Sequence, residues 1–276
     1  MHVSATEVMG YVQVALLVVG VIVLWRVALS PEARGRRQAS PLPTWDLPLV
    51  DFAVFSGCVF AGAFCLLAAA AIAGKIADIR GDAATVLGGA AMQVGMIAGA
   101  LLAPVPRGPH STAQAPGWVL LAGAVTFLAS FPLIAGTAAV AQQLAQAAGF
   151  PPQPQDAITM LIHMESRGLL AAMIVLAVVV APVGEEMVFR GGVFRFLRGR
   201  VPRWAALLLP GVFFAALHVN WRTFAGLDSF APLVVLAVLF SLAYERTGHL
   251  GVPIVAHALF NLNTIVGILT GFVKPA

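Results

Sequence analysis

Long apolar runs separated by short polar or breaker-rich stretches dominate this chain. They cover roughly 8–29, 49–73, 84–104, 118–141, 168–196, 204–218, 230–244 and 251–271. A helix needs about 20 apolar residues to cross the hydrocarbon of a bilayer. The pattern therefore predicts an all-α transmembrane bundle of about eight spans, of which the sixth and seventh are short, near 15 residues each. Between the fourth and fifth runs lies a polar segment, rich in proline around Phe150-Pro151-Pro152-Gln153-Pro154. It divides the chain into an N-terminal four-span region (1–141), an extramembrane connector (142–167) and a C-terminal four-span region (168–276). No internal repeat relates the halves.

Composition agrees with this reading. The 276 residues are 60% hydrophobic and 10% charged, where a soluble domain carries about 25% charged residues. Arginines beside the spans account for the basic balance, so no nucleic-acid partner is implied; the bilayer is the expected surrounding. One side of the bundle would hold Arg26, Arg34, Arg36, Arg37, Arg107, Arg195, Arg198, Arg200, Arg203 and Arg246, the other Lys75, Arg80, Arg167, Arg222 and Lys274. The positive-inside rule makes the first side cytoplasmic and puts both termini outside. The expected location is a bacterial plasma membrane. The first run has Glu7 ahead of it and its basic residues after it, the reverse of a cleaved signal peptide, so it reads as an anchor. Trp25, Trp45, Trp118, Trp204 and Trp221 sit near span ends, as an interfacial belt does. Cys58 and Cys65 share one run and read as small buried apolar residues. Gly95 with Gly99, and Gly267 with Gly271, have the G-x-x-x-G spacing of close helix packing.

Polar groups inside the spans change the picture. Ionisable groups in a span cost roughly 2.5–3.5 kcal/mol on insertion scales and mark function by default. The fifth run contains Gly184-Glu185-Glu186-Met187-Val188-Phe189-Arg190. Glu186 and Arg190 are four apart, so on a helix they face one another and neutralise. Glu185 is rotated by about 100° from Glu186 and has no basic residue at helical spacing. Glu186 thus reads as structural and Glu185 as free for chemistry. The sixth run holds Phe214 and His218, the eighth His257 and Asn261, each pair four apart on one face. At 1.5 Å per residue, Glu185 lies roughly 15 Å from Arg195, His218 roughly 22 Å from Arg203, and His257 and Asn261 roughly 10 and 16 Å from the turn at His249. In a core about 30 Å thick, all four fall at middle depth. A lone membrane histidine is often only a helix-to-helix hydrogen bond; four such groups agreeing in depth suggest a site. His2, His110, His163 and His249 fall in tails or loops and take no role.

Two arrangements use this set. In one, a divalent metal such as zinc is held by His218 and His257, with Glu185 completing its shell or acting on the bound water. In the other, without metal, Glu185 and His218 activate water while His257 and Asn261 donate to the oxyanion. Both hydrolyse an acyl bond, most simply a peptide bond. H-E-x-x-H and G-x-S-x-G are absent, so neither a zincin nor a serine hydrolase of α/β type is indicated. Arg198 and Arg200, at the cytoplasmic end of the fifth run, offer attraction for a substrate carboxylate terminus, or only fix topology.

The three pieces Glu185-Glu186…Arg190, Phe214…His218 and His257…Asn261 resemble the motifs E-E-x-x-x-R, F-x-x-x-H and H-x-x-x-N of the CAAX protease and bacteriocin-processing family of intramembrane endopeptidases, also called the Abi family. The resemblance runs from about Gly168 to Gly271; the first four spans carry no matching motif. It implies that Glu185 and His218 activate water, that His257 and Asn261 stabilise the oxyanion, and that Glu186 and Arg190, with Phe214, support the site. It leaves open whether a metal is needed. The implied substrate is a membrane-associated protein or peptide, lipidated in the eukaryotic members. Two other functions would use the same residues: a non-catalytic scaffold or bacteriocin-immunity protein, and a transporter or proton relay. A transporter is expected to show inverted repeats and broken helices.

Overall fold

The structure, a computed structural model, describes residues 3–35, 40–105, 114–150, 154–224 and 226–273. Arg36, Arg37, Arg107, Lys274, His2, His110 and 151–153 lie outside the described residues. The chain is an all-helical integral membrane protein, with no β-strand among the described residues. Helix α1 (Ala5–Leu24) runs into a wide π-turn at Trp25–Leu29 and a short α2 (Pro31–Gly35). Helices α3 (Leu49–Ile76), α4 (Gly81–Leu102) and α5 (Pro116–Ala147) complete the first half. A short α6 (Asp156–His163) lies in the connector, followed by α7 (Arg167–Arg198), α8 (Arg203–Ala216), α9 (Phe230–Thr247) and α10 (Gly251–Leu269). Seven of these helical stretches are long and apolar enough to span a membrane, and α8 is a shorter apolar helix. The seventh run is longer than its hydropathy suggested, because a 3₁₀ turn at Leu227–Ser229 and the polar turn through Thr247 extend it to 21 residues.

Small residues decide how the helices approach. A Cβ on Gly95 would overlap the carbonyl of Gly62, and one on Gly99 that of Cys58; α3 and α4 meet backbone to backbone, as the first G-x-x-x-G expected. The second does not pack this way. α10 ends at Leu269, and Gly271 lies beyond it at φ +70, a left-handed turn that glycine enters without Cβ strain. α5 is the hub of the second layer: α1, α9 and α10 all pack on it. Phe127, Phe131, Phe189, Phe214, Phe240 and Phe260 form a buried aromatic core between α5, α7, α8, α9 and α10. The outward faces stay apolar, as in Leu17, Phe64, Leu121 and Val179, which suits contact with acyl chains. Cys65 shares this outward face and is exposed, and Cys58 is only half-buried, so neither is the buried residue expected. Four of the tryptophans are exposed as a belt requires, but Trp45 is 6% exposed and packs edge-on against Phe55 at 5.2 Å. It closes a separate core with Leu47, Val59 and Phe196.

The arginine-rich end is held by its own charges. The backbone of 42–47 runs in irregular conformation beneath the end of α7, and its carbonyls need donors. Arg198 donates to Leu42 O at 2.5 Å, Arg195 to Pro43 O at 3.3 Å, and Arg200 to the carbonyls of Trp45 and Leu47. Arg200 also stacks 3.8 Å over the Phe196 ring. Glu245 of α9 accepts from both Arg198 (2.9 Å) and Arg203 (2.6 Å).

Candidate active site

Helix α7 is not uniformly α. Its segment Ala181–Glu186 is α-helical, flanked by wide π-turns at Leu176–Val180 and Met187–Phe194. In the first, the N–H of Ala181 bonds Leu176 O, five residues back. The next bond in that series would come from residue 182 to Ala177 O, but Pro182 has no N–H. The orphaned carbonyl is taken by α10: Asn261 Nδ2 donates to Ala177 O at 2.7 Å. One of Asn261's two amide hydrogens is therefore committed to the helix that carries the glutamates.

Glu186 and Arg190 form the ion pair their spacing predicted, Arg190 Nη1 to Glu186 Oε1 at 2.9 Å, with side chains 0% and 1% exposed. Phe214 and Phe240 place their rings 5.1 and 5.5 Å from the Arg190 guanidinium, a cation–π setting suited to a desolvated cation. Glu186 Oε1 also meets His257 Nδ1 at 2.9 Å. A carboxylate only accepts, so this imidazole nitrogen carries its proton. His257 is thereby oriented with Nε2 towards Glu185, 3.8 Å from its Oε2, too far for a hydrogen bond. His218 Nδ1 lies 2.8 Å from Phe214 O. A carbonyl likewise only accepts, so Nε2 of His218 is the nitrogen left with a lone pair.

Glu185, His218, His257 and Asn261 line one cavity of about 510 Å³, with Phe214 in its wall. Three motifs far apart in sequence thus converge. Glu186 and Arg190 sit behind this wall, and Arg198 and Arg200 stand away from it, engaged with the 42–47 backbone and Glu245. The cavity does not extend towards these arginines, as attraction of a substrate terminus by them would require. From Glu185 its lining continues through Ala181, Ala177 and Met173, and on α10 through Asn261, Thr264 and Ile268. Those residues lead to the opposite end of the bundle, where α6 lies against the cavity with Ile158 and Leu161. The reason is visible in the packing: Phe189, Phe194 and Phe196 fill the arginine end of α7. The connector, read from sequence only as polar, contributes this amphipathic cover, and Asn220 ties it down by donating to Asp156 at 3.1 Å.

Among the described residues, no three His, Cys, Asp or Glu side chains group as metal ligands. His257 donates from Nδ1 to Glu186 and His218 from Nδ1 to a carbonyl, which leaves Nε2 of each on the cavity side.

One further residue escaped the motif reading. Gln93 of α4, 8% exposed, donates from Nε2 to Glu185 Oε1 at 3.0 Å and lines the same cavity. Its only signal was a polar side chain in the middle of an apolar helix. No curated protein and no solved structure is significantly similar to the chain. Residues 167–263, the segment that carries every motif of the site, match the family model described as Type II CAAX prenyl endopeptidase Rce1-like, a match that places this region with the CAAX protease and bacteriocin-processing family its motifs resemble.

Proposed function

We propose that the protein is an intramembrane endopeptidase that hydrolyses a peptide bond near the end of a membrane-associated, CAAX-like substrate without a metal. The observation that carries the reading is the convergence of Glu185, His218, His257 and Asn261 on one cavity inside the family-matched segment. In this mechanism a water sits against Glu185 Oε2 and His218 Nε2, the two lone-pair positions not committed elsewhere. As its oxygen attacks the scissile carbonyl carbon, its proton passes to one of these bases. The carbonyl oxygen becomes an oxyanion, which accepts from the second amide hydrogen of Asn261 and from His257 Nε2–H. With both nitrogens protonated, His257 brings the buried set Glu185, Glu186, Arg190 and His257 to zero net charge. The tetrahedral intermediate then collapses, the C–N bond breaks, and the proton held by the base goes to the leaving amine. The mainly apolar lining of the cavity strengthens these electrostatic contacts.

The test is cleavage of an internally quenched peptide ending in a prenylated CAAX box, by purified protein in proteoliposomes. Wild type should cleave it with or without a chelator, and Glu185→Gln should be inactive while accumulating normally in the membrane. Normal turnover by Glu185→Gln would remove Glu185 from the mechanism. Loss of wild-type turnover on chelation, restored by zinc, would replace the metal-free scheme. Cleavage by neither protein, over a panel of such peptides, would favour the scaffold function.

A further inference from the structure

Glu185 is held from outside the family-matched segment. Its Oε1 accepts from Gln93 Nε2, and Gln93 belongs to α4, in the first half of the chain. The approach is deliberate in its sterics. A Cβ on Gly184 would come within 2.7 Å of Gln93 Oε1, so a side chain at 184 would push the amide from its place beside Glu185. The amide oxygen is buried with no partner among the described residues. An orphan acceptor is unfavourable, and it persists where the other end of the amide is needed in place.

We infer that Gln93 is a positioning residue for Glu185: by occupying Oε1, it leaves Oε2 as the oxygen that faces His257 and the cavity and takes the proton from water. This rests on the protease reading above. The chemistry explains the residue type. An ionised carboxylate needs a donor, which the amide NH₂ supplies. A protonated Glu185 needs an acceptor instead, and the same amide, turned over, offers its oxygen. Glutamine therefore serves both forms of a general base, as methionine of similar length cannot. The other groups around the carboxylate are already engaged: Glu186 with Arg190 and His257, and His257 with Glu186.

The experiment compares wild type, Gln93→Met, Gln93→Glu and Gly184→Ala, full chain in proteoliposomes, by two readouts. With the quenched prenylated peptide, Gln93→Met should lower kcat about 10- to 100-fold, the range that one hydrogen bond to a charged group commands. KM and thermal stability should stay within twofold and a few degrees. Gly184→Ala, which keeps the amide but pushes it aside, should lose rate in the same way. Gln93→Glu should not rescue, because it brings a second carboxyl in place of a donor. The second readout needs no peptidase activity. An apolar carbodiimide reacts with protonated carboxyls in the membrane, and peptide mapping by mass spectrometry locates the adduct on Glu185, with Glu185→Gln as the blank. Loss of the amide donor favours the protonated acid, so Gln93→Met should raise labelling of Glu185 several-fold. Unchanged kcat together with unchanged labelling in Gln93→Met would overturn the inference. Raised labelling in a protein that cleaves no peptide would leave Gln93 as the partner of Glu185 and overturn the protease reading alone.

Discussion

Replacing Arg190 by methionine removes one half of an ion pair from which water is shut out. Methionine keeps most of the length, so the void is small and the effect is electrostatic. Glu186, 0% exposed, then retains a charge with only His257 as a donor. Breaking a buried pair on one side costs about 3–5 kcal/mol, largely because a charge is stranded. Here the stranding is severe, since Glu186 Oε2 already has no partner and both donors converge on Oε1. Neutralising the other side as well, with Glu186→Gln, removes the stranded charge and should restore a large part of the loss. Neighbours in one network couple by about 0.5–3 kcal/mol, and this pair should fall at the upper end. With 1 kcal/mol worth about 2–4 °C for a chain of this size class, Arg190→Met should unfold roughly 6–20 °C below wild type, and the double variant visibly above it. Tryptophan fluorescence during heating in detergent is the assay, because Trp45 is buried and shifts its emission when the bundle opens. Losses that add, within about 0.5 kcal/mol of the two singles, would refute the coupling and with it the support assigned to Glu186 and Arg190.

Other outcomes follow from the same structure. Replacing Arg198 and Arg200 together by glutamine should lower thermal stability and leave KM equal for carboxylate-ended and amidated peptides, because these side chains brace the 42–47 backbone; a KM rise for the carboxylate form alone would reinstate them as a substrate-terminus site. Asn261→Leu should both abolish turnover and lower the unfolding temperature, since it orphans Ala177 O; unchanged stability would contradict that bond. Single cysteines placed in 30–44 and 198–203 should be shielded from an impermeant thiol reagent in intact cells. If those loops label from outside, the orientation drawn from the arginines is inverted.

The motif residues were legible because a charged or imidazole side chain in an apolar run has few ordinary explanations, and helical spacing alone paired Glu186 with Arg190. Their depth also placed Glu185, His218, His257 and Asn261 together before any packing was known. Gln93 was not legible in the same way. A neutral amide carries no spacing motif, and its partner lies on another helix, beside a glycine at 184 that leaves the amide its place. The contacts of the arginines were not legible for a related reason. A basic cluster at a span end looks the same in sequence whether it faces water, substrate or its own backbone, and the carbonyls of 42–47 that claim it appear only in three dimensions. The side on which the cavity lies depended on where aromatic bulk fills α7, which periodicity does not report.

The wide turns of α7 have a consequence for how that helix can vary. A π-turn is one residue more than an α-helix needs, absorbed without breaking the rod. A helical wheel assigns about 100° to every residue, including the absorbed ones, so a wheel drawn straight through 167–198 loses phase twice, on either side of Ala181–Glu186. The glutamates therefore keep an angular frame separate from both ends of their own helix. Deleting one residue between 176 and 180 should therefore be absorbed as a local tightening: the rod closes to regular pitch, and its lipid-facing stripe keeps its angle to the segment that points Glu185 inward.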